Sequence, residues 1–278
     1  MSWHPLLPAF LLSTMVSVLA FWRGSLSESG VAGAIFVGTL TIGFGGWSWG
    51  FLLALFFISS SLLSHFKEAE KRASAEKFDK TYRRDLAQAL ANGGVGAIAA
   101  LLSTLLPSAA WFPFFLGVMA TVNADTWATE LGTLSRRPPH LITSGRVVEV
   151  GTSGGISPLG TAVSFAGGLV IGLAAALLRR ARPAWPLILT TALAGLAGSL
   201  FDSLLGATAQ QIYYCERCGK ETERKTHKCG QAARPLRGWA WLNNDLVNLL
   251  ASLVGGMVAL ALWLLWKEKT SFAAKKSS

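Results

Sequence analysis

Eight apolar segments, each close to the length that a helix needs to cross a bilayer, divide this chain from end to end. A transmembrane helix takes about 20 mostly apolar residues. The segments are Pro5–Trp22, Val31–Gly46, Trp47–Phe66, Leu90–Leu106, Trp111–Leu131, Leu159–Leu178, Trp185–Ala207 and Leu246–Trp266. The second and fourth are short. The first follows no basic region, since Met1–Pro8 carries only His4, and is therefore interpreted as a retained span rather than a signal peptide.

The composition excludes an ordinary soluble protein. Only 14% of the 278 residues are charged, against about 25% in soluble proteins. Eleven Trp and 29 Gly fit interfacial anchoring and close helix contacts in a membrane. We predict an all-α fold, a polytopic membrane helix bundle of about eight spans. Residues 1–278 form one integral membrane domain with a loop insertion at 212–238 on the cytoplasmic side.

The basic residues indicate an orientation. With the N-terminus outside, 18 Lys and Arg residues fall in inner loops and 7 on the outer side, as the positive-inside rule requires. The outer turn Arg179–Pro183 argues against this order, so a short span is a candidate re-entrant segment. The net charge of +10 indicates either anionic lipid or an anionic substrate. We expect no nucleic-acid partner, and the oligomeric state is left open.

Polar side chains interrupt the fifth segment, in the stretch NADTWATELGTLSRRPP at residues 123–139. A carboxylate inside a bilayer costs about 3 kcal/mol on insertion scales, so such acids are functional by default. On a straight helix Asn123 and Glu130 share a face, whereas Asp125 points about 140° away from Glu130. Either the span breaks here or the two acids serve different neighbours. The alternative is that Asn123 and Asp125 only bond other helices.

Two later spans also carry acids. A polar stripe with helical spacing in AGLAGSLFDSLLGATAQQ consists of Ser199, Asp202, Gly206 and Gln210. The last span opens with WLNNDLVNLLAS, which brings Asn244, Asp245 and Asn248. Asp245 can simply complement the helix dipole. Carboxylate and amide oxygens from three spans are nevertheless the ligands that Mg²⁺ takes.

Two neighbouring features suit phosphate groups. The turn GTSGGISPLG precedes a span, where backbone amides can bind an anion; its candidate residues are Thr152, Ser153, Gly154 and Gly155. It lacks the lysine of a Walker motif and is alternatively only a turn. The third span ends in SSSLLSHFKEAEKR with a stripe of Ser60, Ser64, Lys67 and Lys71. This stripe fits phosphate or, alternatively, a membrane-surface anchor.

These parts together predict phosphoryl transfer, in which catalysis is mainly positioning and charge neutralisation. The predicted catalytic residues are Asp125, Glu130, Asp202 and Asp245, of which Asp125, Asp202 and Asp245 would hold Mg²⁺. The predicted phosphate-binding set is Ser60, Ser64, Lys67, Lys71, Asn123, Thr152, Ser153, Gly154, Gly155, Asn244 and Asn248. Burial in the membrane implies a lipid acceptor or product.

In ADTWATELGTLSRRPPHLITSGRVVEVGTSGGISPLG, GLAGSLFDSLLGATAQ and LNNDLVNLLAS the sequence resembles the transmembrane protein 19-like family. That family includes the phytyl-phosphate kinases of plants and cyanobacteria. The resemblance runs from about residue 30 to 262. It implies a kinase that converts phytyl monophosphate to the diphosphate with a nucleoside triphosphate, CTP being a plausible donor. By similarity, the motif positions are Asp125, Glu130, Asp202, Asn244 and Asp245.

All three cysteines lie in one polar loop, YYCERCGKETERKTHKCG, in the pattern C-x2-C-x8-H-x-C. The four candidate zinc ligands are Cys215, Cys218, His227 and Cys229. Four thiolate or imidazole ligands suit tetrahedral Zn²⁺, although the spacing departs from standard fingers and a redox CxxC pair is the alternative. We expect this zinc to stiffen the insertion and not to take part in catalysis.

Two other functions are weighed against the kinase. An ion-coupled transporter would use Asp125, Glu130 and Asp202 as an ion pathway, but the halves show no convincing repeat. A CDP-alcohol transferase would need a D-x2-D-G cluster, and no Asp here has another three residues later. The location expected is a bacterial or cyanobacterial inner membrane or a plastid membrane.

Overall fold

The structure, a computed structural model, describes residues 5–67, 70, 83–180 and 182–276, with side chains as far as residue 269. The predicted phosphate ligand Lys71 lies outside these residues. The long helices are α1 (Leu6–Trp22), α2 (Glu28–Gly45), α3 (Trp47–His65), α4 (Leu86–Leu105), α5 (Trp111–Gly132), α6 (Pro158–Arg179), α7 (Trp185–Thr208) and α8 (Asn244–Lys276). Each of the eight predicted spans corresponds to one of them. The predicted polytopic helix bundle is confirmed.

Six of these helices are long and apolar enough to cross a membrane by length and composition: α2, α3, α4, α6, α7 and the first 26 residues of α8. The other two fall short for different reasons. Helix α1 has only 17 residues, whereas α5 has 22 residues but carries Asn123, Asp125 and Glu130 in its second half. The polar residues that make α5 functionally interesting are those that lower its hydropathy.

The two short candidate spans are longer than their apolar residues indicated. The Ser27 hydroxyl accepts a hydrogen bond from the Gly30 amide, so α2 starts at Glu28. A reciprocal capping box between Asp85 and Gln88 starts α4 at Leu86. The helices are 18 and 20 residues long and unbroken. The expectation that a short span is re-entrant is therefore wrong.

Helix α5 forms the centre of the bundle. Half of it is buried, and it packs against α3, α4, α6, α7 and α8. Small residues allow this close packing: a Cβ atom at Gly195 of α7 would lie 2.9 Å from the carbonyl oxygen of Ala120. Large apolar side chains are exposed instead on the outer faces of the helices, for example Leu62 (65%) and Leu177 (78%). Such a surface is suited to lipid and not to water.

Contacts between loops identify the two ends of the bundle. The Arg84 amide donates to the Ser25 carbonyl at 3.0 Å, which places the α1–α2 and α3–α4 connections at one end. At the other end Trp185 packs edge-on against Trp266, and Arg179 lies 3.9 Å from the Phe112 ring centre. Arg179 and the start of α7 at Trp185 thus lie at the end opposite Ser25 and Arg84. The Arg179 charge rests on an aromatic face.

Two small antiparallel sheets add β structure to the predicted all-α bundle. Strands β1 (His140–Leu141) and β2 (Gly155–Ile156) pair in the α5–α6 connection. Between α7 and α8, β3 (Ile212–Cys215) lies at the centre of a sheet with β4 (Lys220–Thr222) and β5 (Arg234–Arg237). We call residues 212–238 the insertion. The predicted loop is a folded three-stranded unit.

Candidate functional site

A cavity of about 770 Å³ lies at the end of the bundle that carries the insertion. It is bounded by α3 to α8, by the turn at residues 151–155, which we call the glycine turn, and by the insertion. The predicted residues that line it are Ser64, Asp125, Glu130, Thr152, Ser153, Gly154, Gly155, Asp202, Asn244, Asp245 and Asn248. The four acids that were predicted to be catalytic come from three separate helices, and all four line this one cavity.

The two acids of α5 have different neighbours. Asp125 Oδ1 accepts a hydrogen bond from the Ser199 hydroxyl of α7 at 3.3 Å. Glu130 Oε1 accepts one from the Ser64 hydroxyl of α3 at 2.6 Å. Because α5 is continuous through this region, the two carboxylates leave it in different directions, as helical periodicity predicted. The alternative of a broken span is wrong.

Asp202 has an unusual environment for a carboxylate. Its Oδ2 atom is buried and has no hydrogen-bond partner among the described residues. A buried oxygen of this kind costs free energy unless a cation or a donor reaches it. The rest of the predicted stripe follows it along the cavity wall: Ser199, Gly206 and Gln210. Asp202 is therefore an acid whose surroundings favour a bound divalent cation.

The polar residues at the start of α8 cap the helix and line the cavity. The Asn243 Oδ1 atom accepts from the Leu246 amide at 3.1 Å, which is a side-chain N-cap. This leaves Asn244, Asp245 and Asn248 beyond what capping needs, and all three line the cavity. Asn243 also lines the cavity, so one residue both caps the helix and borders the cavity.

The glycine turn is more engaged in its own hydrogen bonds than an open anion site would be. The Thr152 amide donates to the Glu149 carbonyl at 3.1 Å, and the Gly155 amide donates to the Thr152 carbonyl at 2.9 Å. Ser157 caps α6 by accepting from the Gly160 amide. Gly154, with φ of +85°, lies against Ala207 of α7. The turn is at the cavity, but the amides of Thr152 and Gly155 already have acceptors.

Three of the predicted phosphate ligands lie away from the cavity lining. Ser60 is fully buried and donates to the Phe56 carbonyl of its own helix. Asn123 is also fully buried and bonds Ser59 at 3.0 Å and the Gly167 carbonyl at 2.8 Å. Lys67 lies beyond the end of α3, so the helical stripe stops, and it pairs with Glu70 at the surface. We do not carry these three residues into the proposed site.

Several cavity residues escaped the sequence analysis. On the α4 side they are Arg84, Gln88 and Asn92, and from the insertion they are Glu223, Arg224, Lys225, Thr226 and Lys228. The i, i+4 spacing of Gln88 and Asn92 is a signal that could have found them. Arg84 donates to the Ser61 hydroxyl at 2.9 Å. Burial lowers the pKa of its guanidinium, and the nearby Glu130 carboxylate opposes that shift.

The insertion brings together the four predicted zinc ligands. The ligand atoms of Cys215, Cys218, His227 and Cys229 all lie within 4.8 Å of one another. The Cys215 and Cys229 sulfurs are 3.6 Å apart, close to the roughly 3.8 Å between two thiolates on a tetrahedral ion with Zn–S bonds of about 2.3 Å. A hydrogen bond with the His227 ring lowers the pKa of Cys229 to about 6, whereas the hydrogen bond with Cys229 raises the pKa of Cys218 to about 11. Cys229 is therefore the thiol that more readily supplies a thiolate for metal binding. The cluster fits a metal ion.

We expect the purified protein to contain about one zinc per chain. The Cys215→Ser/Cys218→Ser double variant should lose it, because two ligands cannot hold the ion. The melting temperature should fall by several degrees, and activity should fall without disappearing. Elemental analysis and a thermal melt check this, with Arg217→Gln in the same loop as the control. Protein that carries no metal and melts at the same temperature in both forms would contradict it.

A family model described as Integral membrane protein DUF92 matches residues 11–256. The matched region contains every residue of the cavity lining and the whole insertion. The chain belongs to the DUF92 family. It is an integral membrane protein.

Known relatives of this DUF92 chain come from a plant and an archaeon. Protein PGR of Arabidopsis thaliana is 31% identical over 271 residues, covering 88% of this chain and 92% of that protein. The uncharacterized membrane protein MJ0933 of Methanocaldococcus jannaschii is 33% identical, covering 86% of each. Protein VTE6, chloroplastic, of Arabidopsis thaliana is 28% identical, covering 91% of this chain and 72% of that protein. No solved structure matches the chain significantly.

Proposed function

We propose that this DUF92 protein is a membrane kinase that transfers a phosphoryl group from a nucleoside triphosphate to an isoprenoid monophosphate. Phytyl phosphate is the first candidate acceptor and CTP the first candidate donor. The observation that carries the proposal is the polar cavity at the insertion end of the bundle, in which acids from α5, α7 and α8 meet a glycine turn and basic side chains. The resemblance to the transmembrane protein 19-like family, which includes the phytyl-phosphate kinases, supports the same reaction.

The chemistry is an exchange of one phosphorus–oxygen bond for another. A phosphate oxygen of the acceptor attacks the terminal phosphorus of the donor, and the bond to the bridging oxygen breaks. The products are the isoprenoid diphosphate and the nucleoside diphosphate. Both reactants are anionic, so the main barrier that the protein must lower is charge repulsion. A bound Mg²⁺ would supply that neutralisation.

Asp125, Asp202 and Asp245 are the proposed Mg²⁺ ligands. The unpartnered oxygen of Asp202 supports this role, because carboxylate oxygens are the ligands that Mg²⁺ prefers. Arg84 is half-buried and lies near the Glu130 carboxylate, and it is the proposed cation for the acceptor phosphate. The apolar chain of the acceptor would extend along the outer faces of the helices, where large apolar side chains are exposed.

The direct test uses purified protein in nanodiscs with Mg²⁺, phytyl phosphate and each of the four common nucleoside triphosphates. We expect phytyl diphosphate and nucleoside diphosphate to form in equal amounts, measured by mass spectrometry. Phytol in place of phytyl phosphate is the control and should give no diphosphate. If no prenyl phosphate is converted with any donor, and the protein instead carries ions into liposomes, it is a transporter.

Gly154 provides a prediction about the turn. Gly154→Val should lower kcat/KM by about 10-fold or more, because the new side chain would meet Ala207 and push the turn away from α7. Gly145→Val is the matched control. Gly145 also has a positive φ, of +67°, but has nothing within 4 Å of its side-chain position. Equal loss in both variants would show that backbone strain alone matters and that the turn has no role in the site.

A further inference from the structure

The insertion supplies most of the positive charge at the cavity. Four cationic side chains line it within the described residues: Arg84, Arg224, Lys225 and Lys228. Three of these four come from one short segment of the insertion. They face five lining acids, namely Asp125, Glu130, Asp202, Glu223 and Asp245. A polyphosphate entering this cavity would therefore depend on the insertion for three of these four cationic partners.

The base of the insertion is fixed to the bundle by polar contacts. The Glu223 carboxylate accepts from the Gln210 side chain at 2.8 Å and from the Ser153 hydroxyl at 3.2 Å. The Arg237 guanidinium donates to the carbonyls of Gly206 at 2.6 Å and Ser153 at 3.3 Å. These contacts join the insertion to both α7 and the glycine turn.

The cationic segment itself lies in a hairpin whose tip carries two of the cluster ligands. The Ala233 amide donates to the Lys225 carbonyl at 2.9 Å, and the His227 amide donates to the Gln231 carbonyl at 2.9 Å. His227 and Cys229 stand at the tip, while their partners Cys215 and Cys218 stand at the end of β3 and in the turn after it. A metal ion in the cluster would hold this tip against the sheet.

Lys225 and Lys228 are suited to an anionic ligand. Both are exposed, and the described part of the chain gives neither an ion-pair partner. Lys228 stands between the ligands His227 and Cys229, and Lys225 lies two residues before His227. Any movement of the cluster therefore moves both ammonium groups. Since charge-assisted contacts depend on position, a metal ion bound in the cluster would determine where the backbone carries these charges.

We propose that the metal cluster positions Lys225 and Lys228 as the binding site for the polyphosphate of the nucleotide. This inference rests on the proposed kinase function and adds a role for the insertion beyond stiffening. The cluster residues act through the lysines and do not touch the reacting atoms. The insertion thereby couples metal occupancy to substrate affinity.

The test measures binding of inorganic tripolyphosphate with Mg²⁺ to the full-length protein in detergent by calorimetry, at low salt and without turnover. The Lys225→Gln/Lys228→Gln variant should weaken binding about 10-fold or more, because two charge-assisted contacts are lost. The Cys215→Ser/Cys218→Ser variant should weaken it similarly. Combining all four changes should add little. Lys220→Gln/Lys267→Gln, which removes two lysines that do not line the cavity, should leave binding unchanged.

The outcomes separate this inference from the kinase proposal. Metal-free cysteine variants that retain their helical content and bind tripolyphosphate as tightly as the parent would overturn the inference, as would a parent protein that does not bind it. A kinase that keeps its nucleotide KM in both variants would also overturn it. Metal-dependent tripolyphosphate binding without phosphoryl transfer would instead refute the kinase proposal and leave the inference standing.

Discussion

Asp202→Asn should lower kcat by about 10²- to 10³-fold, the usual cost of removing one transition-state electrostatic contact. The change removes a charge and a metal ligand while keeping nearly the same shape. The melting temperature of the metal-free protein should stay the same or rise, because a buried carboxylate oxygen without a partner costs stability. Kinetics with isoprenoid phosphate and a thermal melt of the same preparation measure both effects.

Glu216→Gln is the matched control for Asp202→Asn. Glu216 belongs to the insertion and pairs with Arg234 at 2.9 Å, with 71% of its side chain exposed. It should change neither kcat nor melting temperature, since surface ion pairs contribute little. Raised Mg²⁺ should partly restore Asp202→Asn if a metal ligand was lost. Full activity in Asp202→Asn would remove that acid from the mechanism.

Gly117→Val should prevent normal packing of the bundle. A Cβ atom at position 117 of α5 would collide with the backbone carbonyl of Gly255 in α8 and lie 2.6 Å from the Ala259 side chain. Backbone cannot move aside as a flexible side chain does, and overpacking of a tight interface costs about 1–3 kcal/mol or more. We expect a large fall in melting temperature and in the yield of monodisperse protein on size exclusion.

The matched control is Gly94→Val in α4. There the nearest atom is the Leu90 Cβ of the same helix, at 4.0 Å, so a valine has room. Both changes put the same residue into a helix, and only the contact differs. If Gly94→Val and Gly117→Val behave alike, close α5–α8 contact is not what holds Asp125 and Asp245 at one cavity.

Much of the bundle could be predicted because hydropathy and helix length report directly on lipid contact. The predicted starts of α2 and α4 were several residues too late. The polar caps Ser27 and Asp85 start these helices, and hydropathy does not detect polar caps. The capping signal of Asp85 and Gln88 is visible in the sequence. This signal predicts that α4 starts at Leu86, which makes the span long enough and argues against a re-entrant segment there.

The acids of the site were predictable because a charge within a span is costly and so stands out. The division of tasks along α5 also followed from helical periodicity: Asn123, Trp127 and Glu130 face α3, whereas Asp125 faces α7. Which polar groups serve packing was not predictable. Asn123 meets the Gly167 carbonyl, a contact that depends on how α6 crosses α5.

The role of the insertion could not be derived from its own sequence. The cysteine spacing indicated a metal cluster, but nothing local places Lys225 and Lys228 at the cavity. That placement depends on Glu223 and Arg237 meeting α7 and the glycine turn, contacts that join residues far apart in the chain. The expected stiffening role stays a prediction, and the positioning of the lysines is proposed in addition to it.

We propose that acids from three helices share a divalent cation that faces phosphate. An experimental structure with Mn²⁺ and inorganic tripolyphosphate tests it most directly, because Mn²⁺ substitutes for Mg²⁺ and can be located by anomalous scattering. We expect one or two Mn²⁺ ions, about 4 Å apart if two, bound by Asp125, Asp202 and Asp245 and touching phosphate oxygens. Tripolyphosphate bound in the cavity with no Mn²⁺ near Asp202 would contradict it.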